Sequence, residues 1–290
     1  MAEPAAPLPV RLIAVDIDGT LLDPQFQLPP ANAAALRRAH ERGLDVALVT
    51  GRRHGSALPI ALELGFPVCL ISSDGAVTRT SDGALFHRHL LPRAAARELL
   101  HRLRACRAHT ALIFDRDGPG TVVVEARALL TARLARWMEK NAPVLADVAP
   151  LEDALAEDPV QIMLAGTIAE MRAPRVVLAD ADLAGLVTVL RTEYEARDLC
   201  ILDLLAEGCS KGHGVARFAA SRGVPLGAVM AIGDNFNDLE MLELCGHPVV
   251  MGNACAELRG AGFAVTLPND QAGVAAAVER ALTSPTPSRG

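Results

Sequence analysis

The stretch Leu12-Ile13-Ala14-Val15-Asp16-Ile17-Asp18-Gly19-Thr20 decides the fold. Four apolar residues without alternation read as a short strand buried on both faces, as in the interior of a parallel sheet. The strand runs into two carboxylates one residue apart, then a glycine and a hydroxyl. Side chains alternate along a strand, so Asp16 and Asp18 are expected on the same side, gathered at its carboxyl edge. In doubly wound sheets that edge is where ligands bind. Two close carboxylates call for a divalent cation between them, or for one of them to be neutral. Gly19 and Thr20 then offer a backbone N–H and a hydroxyl to an anion. A strand ending in helix-capping acids would account for the same letters.

Outward from this stretch, strand and helix alternate. Residues 46–49 and 68–72 are further apolar runs, separated by a helix that Pro29 and Pro30 open and Gly43 closes, and by a second helix ahead of Gly65. This βαβαβ pattern returns after residue 211, with helices over 212–222, 237–244 and 272–282 and strands over 229–233, 248–251 and 263–267. Between the two halves the pattern changes. Thr80-Ser81-Asp82-Gly83 marks a hairpin between 76–79 and 84–89. A mixture follows: helices over 92–106 and 127–140, one ending near 185, and strands near 110–114, 121–125, 160–165, 186–194 and 199–205. The expected fold is α/β, a Rossmann-like doubly wound parallel sheet core formed by residues 1–83 and 204–290, with an inserted α+β cap domain over 84–203. The chain would cross between them near Asp82 and Gly83 and near Ala206, Glu207 and Gly208.

Composition narrows the functional classes. No run of about 18 apolar residues is present, which argues against a membrane span, and residues 1–10 lack the basic and apolar regions of a secretory signal. The six cysteines are scattered without metal-type spacing, as expected of reduced thiols in a cytoplasmic protein. A net charge of −6 with no basic run disfavours a nucleic-acid partner. Among the 28 basic residues only Lys140 and Lys211 are lysines, so a lysine in a motif carries weight; Lys140, in a helical context, reads as incidental. The final residues, 284–290, are expected to be disordered.

Three more constellations carry chemistry. Thr50 and Gly51 end a buried strand with a hydroxyl and an unobstructed N–H suited to a phosphate oxygen, though Thr-Gly also opens ordinary loops. Arg52 and Arg53 read as solvated cations. Lys211 opens a helix, the unfavourable end for a cation, and an anion between the ammonium and the helix terminus would reconcile the two. Asp234, Asn235, Asn237 and Asp238 follow a buried strand directly; an N-cap explains Asp238 but leaves Asp234 and Asn235 unexplained.

Together these motifs resemble the haloacid dehalogenase superfamily, in particular its Cof-type phosphatases: DIDGT at 16–20, VTGR at 49–52, SKG at 210–212, GDNFNDLEML at 233–242 and VVMGNA at 249–254, in the family's order and spacing. The resemblance implies a magnesium-dependent phosphatase acting on a small phosphorylated metabolite, a sugar phosphate or phosphorylated cofactor. It further implies Asp16 as nucleophile and Asp18 as acid and base. Mg²⁺ would be held by the Asp16 carboxylate, the Asp18 carbonyl and Asp234, and the phosphoryl oxygens by Thr50, Gly51, Lys211 and Asn237. Asp238 would orient the lysine or a metal-bound water from behind. Asp74 stands where the family usually has asparagine, and Cys209 replaces an aliphatic residue, read as core. A phosphosugar mutase or a catalytically silent binding protein would carry the same motifs.

Overall fold

A computed structural model describes residues 9–183 and 185–283. The expected disorder of residues 284–290 and the side chain of Lys140 lie outside what is described. The first half of the core runs β1 (Leu12–Asp16), α1 (Pro30–Glu41), β2 (Asp45–Val49), α2 (His54–Glu63), β3 (Cys69–Ser72), β4 (Val77–Thr80) and β5 (Leu85–Arg88). The intervening region contains α3 (Arg93–Arg102), β6 (Thr110–Ile113), β7 (Val122–Val124), α4 (Ala132–Lys140), β8 (Leu145–Asp147), β9 (Gln161–Gly166), α5 (Arg172–Leu178), β10 (Val187–Tyr194) and β11 (Leu199–Ala206). The second half of the core adds α6 (Lys211–Ser221), β12 (Val229–Gly233), α7 (Leu239–Leu244), β13 (His247–Val250), α8 (Ala256–Arg259), β14 (Ala264–Val265) and α9 (Gly273–Thr283).

The core sheet has eight strands in the order β14-β13-β12-β1-β2-β3-β4-β5. Strands β14 to β3 are mutually parallel, and β4 returns antiparallel to β3. The chain leaves β1 for β2 on one side and later reaches β12 on the other, so β1 and β12 flank the point where strand order reverses. The alternation of β1 sends Ile13 and Val15 into one layer with Ala35 and Leu36 of α1 and Val274 of α9. Leu12 and Ala14 enter the opposite layer with Val215 of α6 and Met241 of α7. Both faces are covered, which is why the strand is apolar throughout.

The chain divides into two compact units, Met1–His87 with Ser210–Gly290, and Arg88–Cys209. The second unit is built on a six-stranded sheet of order β10-β11-β9-β6-β7-β8, antiparallel except for the parallel pair β7 and β8. Two boundaries move from the sequence expectation. Residues 84–87 stay with the core because β5 extends its sheet beyond β4. Residues 204–209 stay with the insert because β11 pairs along its whole length with β10. Asp82 and Gly83 therefore form a hairpin turn inside the core sheet, whereas Gly208, at φ 68°, stands two residues before the second boundary.

Other expectations shift for local reasons. The helix expected over 92–106 ends at Arg102 and continues as 3₁₀ turns over Arg104–His109. That over 127–140 breaks near Leu130, leaving a 3₁₀ turn ahead of α4. The strand expected over 263–267 shrinks to Ala264–Val265, exposed at the sheet edge. Strand β8, just three residues long, was not read from the sequence. No helix among the described residues is long and apolar enough to cross a membrane.

Candidate active site

The carboxyl ends of β1 and β12 supply the centre of the site. Val15 is paired with Ile232, so Asp16 at the end of β1 and Asp234 just past the end of β12 come side by side. One carboxylate oxygen each from Asp16, Asp234 and Asp238 lie within 4.8 Å of one another, and all three residues are buried. Lys211, at the first position of α6, reaches into this group. Its Nζ donates to Asp16 Oδ1 and to Asp238 Oδ1, each at 2.7 Å. Ser210 caps the helix below it, its Oγ accepting from the His213 N–H at 3.1 Å.

Asp238 is fully engaged. Its second oxygen accepts from the backbone N–H groups of Asp234 and Asn235, each at 3.0 Å. It thereby holds both the lysine and the turn that carries Asp234. Thr20 donates its hydroxyl to Asp234 Oδ1 at 3.1 Å. Between them Gly19 adopts φ 85°, and a Cβ there would lie 2.3 Å from Asp234 Oδ2. Only a residue without a side chain allows the chain to turn there against that carboxylate.

Asp18 goes elsewhere. The strand ends at Asp16 and the chain coils over Ile17–Leu21, so the alternation that would place both acids together stops one residue too early. The Asp18 carboxylate is instead gripped by Arg52, whose Nε and an Nη each donate to one oxygen at 2.6 Å. Arg52, expected as a solvated cation, is thus a two-pronged partner of Asp18. Thr50 is buried at the end of β2, and its hydroxyl accepts from the Arg52 N–H at 3.1 Å. Asn237 is buried beside Asp238 and donates its side-chain amide to Asp74 Oδ1 at 2.9 Å. The structure therefore draws Asp16, Lys211, Asp234 and Asp238 into one cluster, with Asn237 adjoining it, while Asp18 pairs with Arg52. Sequence reasoning missed Arg52. It also assigned no role to Asn253, which donates to the Gly19 carbonyl at 2.8 Å, or to Asn269, which donates to the Leu22 carbonyl at 2.8 Å. The Asn253 side chain belongs to the quoted VVMGNA motif, which was the available signal.

The electrostatics are those of a site short of positive charge. Burial pushes the Asp16 carboxyl well above the ordinary range, with Lys211 pulling against it and Asp238 and Asp234 reinforcing it. Burial, reinforced by Asp238, raises Asp234 to about 7. Burial would by itself neutralise Lys211, but Asp16, Asp238 and Asp74 outweigh it and hold the ammonium charged. Asp16, Asp74, Asp234 and Asp238 are buried, and Lys211 is the only buried cation among the described residues. Hard carboxylate oxygens in excess over cations, with a glycine cradle at Asp234, are a donor set that suits a hard divalent cation.

A family model for haloacid dehalogenase-like hydrolases matches residues 13–278. The chain belongs to that family. This hydrolase is 30% identical over 292 residues to the phosphatase YwpJ of Bacillus subtilis, covering 92% of this chain and 98% of the relative. It is 31% identical over 255 residues to an HMP-PP phosphatase of Serratia proteamaculans, covering 86% of each. Among solved structures it resembles a haloacid dehalogenase-like hydrolase from Bacteroides thetaiotaomicron, with a TM-score of 0.76, 26% identity, and coverage of 93% of this chain and 99% of that one.

Proposed function

We propose that this hydrolase, a phosphoric monoester hydrolase like the phosphatases it aligns with along most of its length, cleaves a small phosphorylated metabolite through an aspartyl-phosphate on Asp16. The observation that carries this reading is the buried Lys211 ammonium at 2.7 Å from Asp16 Oδ1, with the Asp234 carboxylate alongside. Asp16, the Asp18 carbonyl and Asp234 would hold Mg²⁺. When bound, it supplies the positive charge that keeps Asp16 ionised and lets one anion approach another.

The remaining chemistry belongs to the chain. An Asp16 oxygen attacks phosphorus and the ester P–O bond breaks. Asp18 gives a proton to the leaving oxygen, which requires the Arg52 pair to open, since Arg52 occupies both Asp18 oxygens. Asp18 then takes a proton from water, whose oxygen attacks phosphorus and frees orthophosphate and Asp16. Thr50, Gly51, Lys211 and Asn237 grip the phosphoryl oxygens, and Lys211 offsets charge that grows in the transition state. Asp238 fixes Lys211 from behind. We assign discrimination among metabolites to the unit Arg88–Cys209, sugar phosphates and phosphorylated cofactors being the substrate classes. The free thiols fit a reducing, cytoplasmic setting.

The test is orthophosphate release from a panel of phosphorylated metabolites, with Mg²⁺ and without any bisphosphate activator. Release that disappears on chelation and returns with Mg²⁺ is expected. Full activity after exhaustive chelation would remove the metal from the account. Release that needs an activator would favour a mutase, and none under any condition a silent binding protein.

A further inference from the structure

We propose that Asp74 makes phosphate binding at this site conditional on one proton: the pocket accepts a phosphoryl dianion when the Asp74 carboxyl is neutral and disfavours it when that group is ionised. The proposal rests on the reading of Thr50, Gly51, Lys211 and Asn237 as the phosphoryl grip.

Asp74 sits among all four. Its backbone N–H donates to the Thr50 carbonyl at 2.9 Å. Its Oδ1 accepts from Asn237 Nδ2 at 2.9 Å. A Cβ on Gly51 would lie 2.9 Å from Asp74 Oδ2, so the carboxyl lies against the Gly51 backbone. A Cβ on the next residue, Gly75, would lie 2.0 Å from the Ser210 carbonyl, which brings the same turn against the start of α6 immediately before Lys211. Ser73 and Asp74 have φ of 47° and 49°, two successive non-glycine residues in the left-handed region. Such a pair persists where its surroundings over-determine it. The result is a carboxyl with no exposed surface.

Charged groups face Asp74 from α6 and from the turn after β12. Lys211 approaches from α6, Asp238 from the turn after β12, and Arg217 of α6 donates to the Gly75 carbonyl at 3.0 Å. Burial is the largest influence and raises the Asp74 carboxyl; Lys211 and the Asn237 hydrogen bond pull the other way, and Asp238 reinforces burial. Lys211 has little charge to spare, because its ammonium already serves both Asp16 and Asp238. An ionised Asp74 would therefore add a net negative charge where the phosphoryl oxygens are to be held. Protonation also reverses its hydrogen-bonding sense, since a carboxylate only accepts, whereas the acid can donate to a phosphoryl oxygen. Asparagine has the shape of the acid, keeps an acceptor for Asn237 and cannot ionise.

The experiment compares orthophosphate binding, in the presence of Mg²⁺, to the wild-type protein and to Asp74→Asn by titration calorimetry from about pH 5 to about pH 9. The titration of phosphate and of the other site groups is common to both proteins, so the ratio of dissociation constants, wild type over variant, isolates Asp74. It is expected to stay level at the acid end and then to climb by about tenfold per pH unit once Asp74 ionises. A level ratio across the range, with both proteins binding phosphate, overturns the proposal and leaves the phosphatase reading standing. No binding by either protein overturns both. Should Asp74→Asn not fold, wild-type calorimetry in two buffers of unlike ionisation enthalpy replaces it. Net proton uptake at the alkaline end supports the proposal, and zero uptake overturns it.

Discussion

Lys211 shares its ammonium between two carboxylates, and all three side chains are buried to within 5% exposure. Replacing it by methionine keeps the stem and leaves Asp16 and Asp238 without their cation. Breaking a buried pair from one side costs about 3 to 5 kcal/mol, much of it the penalty of the abandoned charge. Lys211→Met is therefore expected to lower unfolding free energy in urea by that order and to abolish measurable turnover. Stability within about 1 kcal/mol of wild type would show that the carboxylates do not depend on it. This residue was legible in the sequence because lysine is scarce and stands at the wrong end of a helix. Arg52 was not. In a chain that uses arginine for nearly every cation, its pairing with Asp18, 34 positions away, is a tertiary fact, and its place in the VTGR motif was the one available signal. The sequence marks Asp74 just as a departure from the family's asparagine, and nothing local shows that its carboxyl is buried.

Among the elements, the parallel strands were the easiest to read, since burial on both faces writes a continuous apolar run. The coil after β1 was the hardest. Period-two alternation predicts Asp18 beside Asp16, but the strand ends at Asp16 and the chain coils from Ile17 before the pattern can apply, and Thr20, Asn253 and Asn269 hold the coil in place. Gly43 provides a control for Gly19. The two glycines have φ of 84° and 85°, yet a Cβ on Gly43 meets nothing within 4 Å while one on Gly19 meets the Asp234 carboxylate. Both alanine variants should lose about 1 kcal/mol or somewhat more for the left-handed backbone. Gly19→Ala alone is expected to lose turnover and Mg²⁺ affinity, measured by calorimetry. Equal effects of the two substitutions would mean that the close approach to Asp234 does not matter to the site.

For the whole molecule, the excess of buried carboxylates sets a pH-dependent liability. Burial, reinforced by Asp238, raises the Asp234 carboxyl of the folded chain to about 7, well above the ordinary carboxylate range. The folded state therefore holds this proton over a range in which the unfolded chain has lost it. Its contribution to stability is complete below the unfolded value, declines as pH rises, and is gone above about 7. Through this group the metal-free protein is expected to lose stability, on the order of a few kcal/mol, between about pH 4 and about pH 7. Mg²⁺ should stabilise most at the alkaline end. Asp234→Asn should raise the metal-free melting temperature at pH 8 and remove the response to Mg²⁺; a variant that still responds fully would take Asp234 out of the metal site. The central claim is the covalent role of Asp16, and trapping tests it most directly. Enzyme mixed with a small activated phosphate ester and Mg²⁺, quenched in acid and treated with borohydride, is expected to yield homoserine at position 16 in the peptide mass spectrum, because borohydride reduces an acyl phosphate and spares a free carboxylate. Asp16→Asn should give no such product and no turnover. An unmodified Asp16 in a wild-type sample quenched during rapid turnover, or reduction at another acid, would contradict the account.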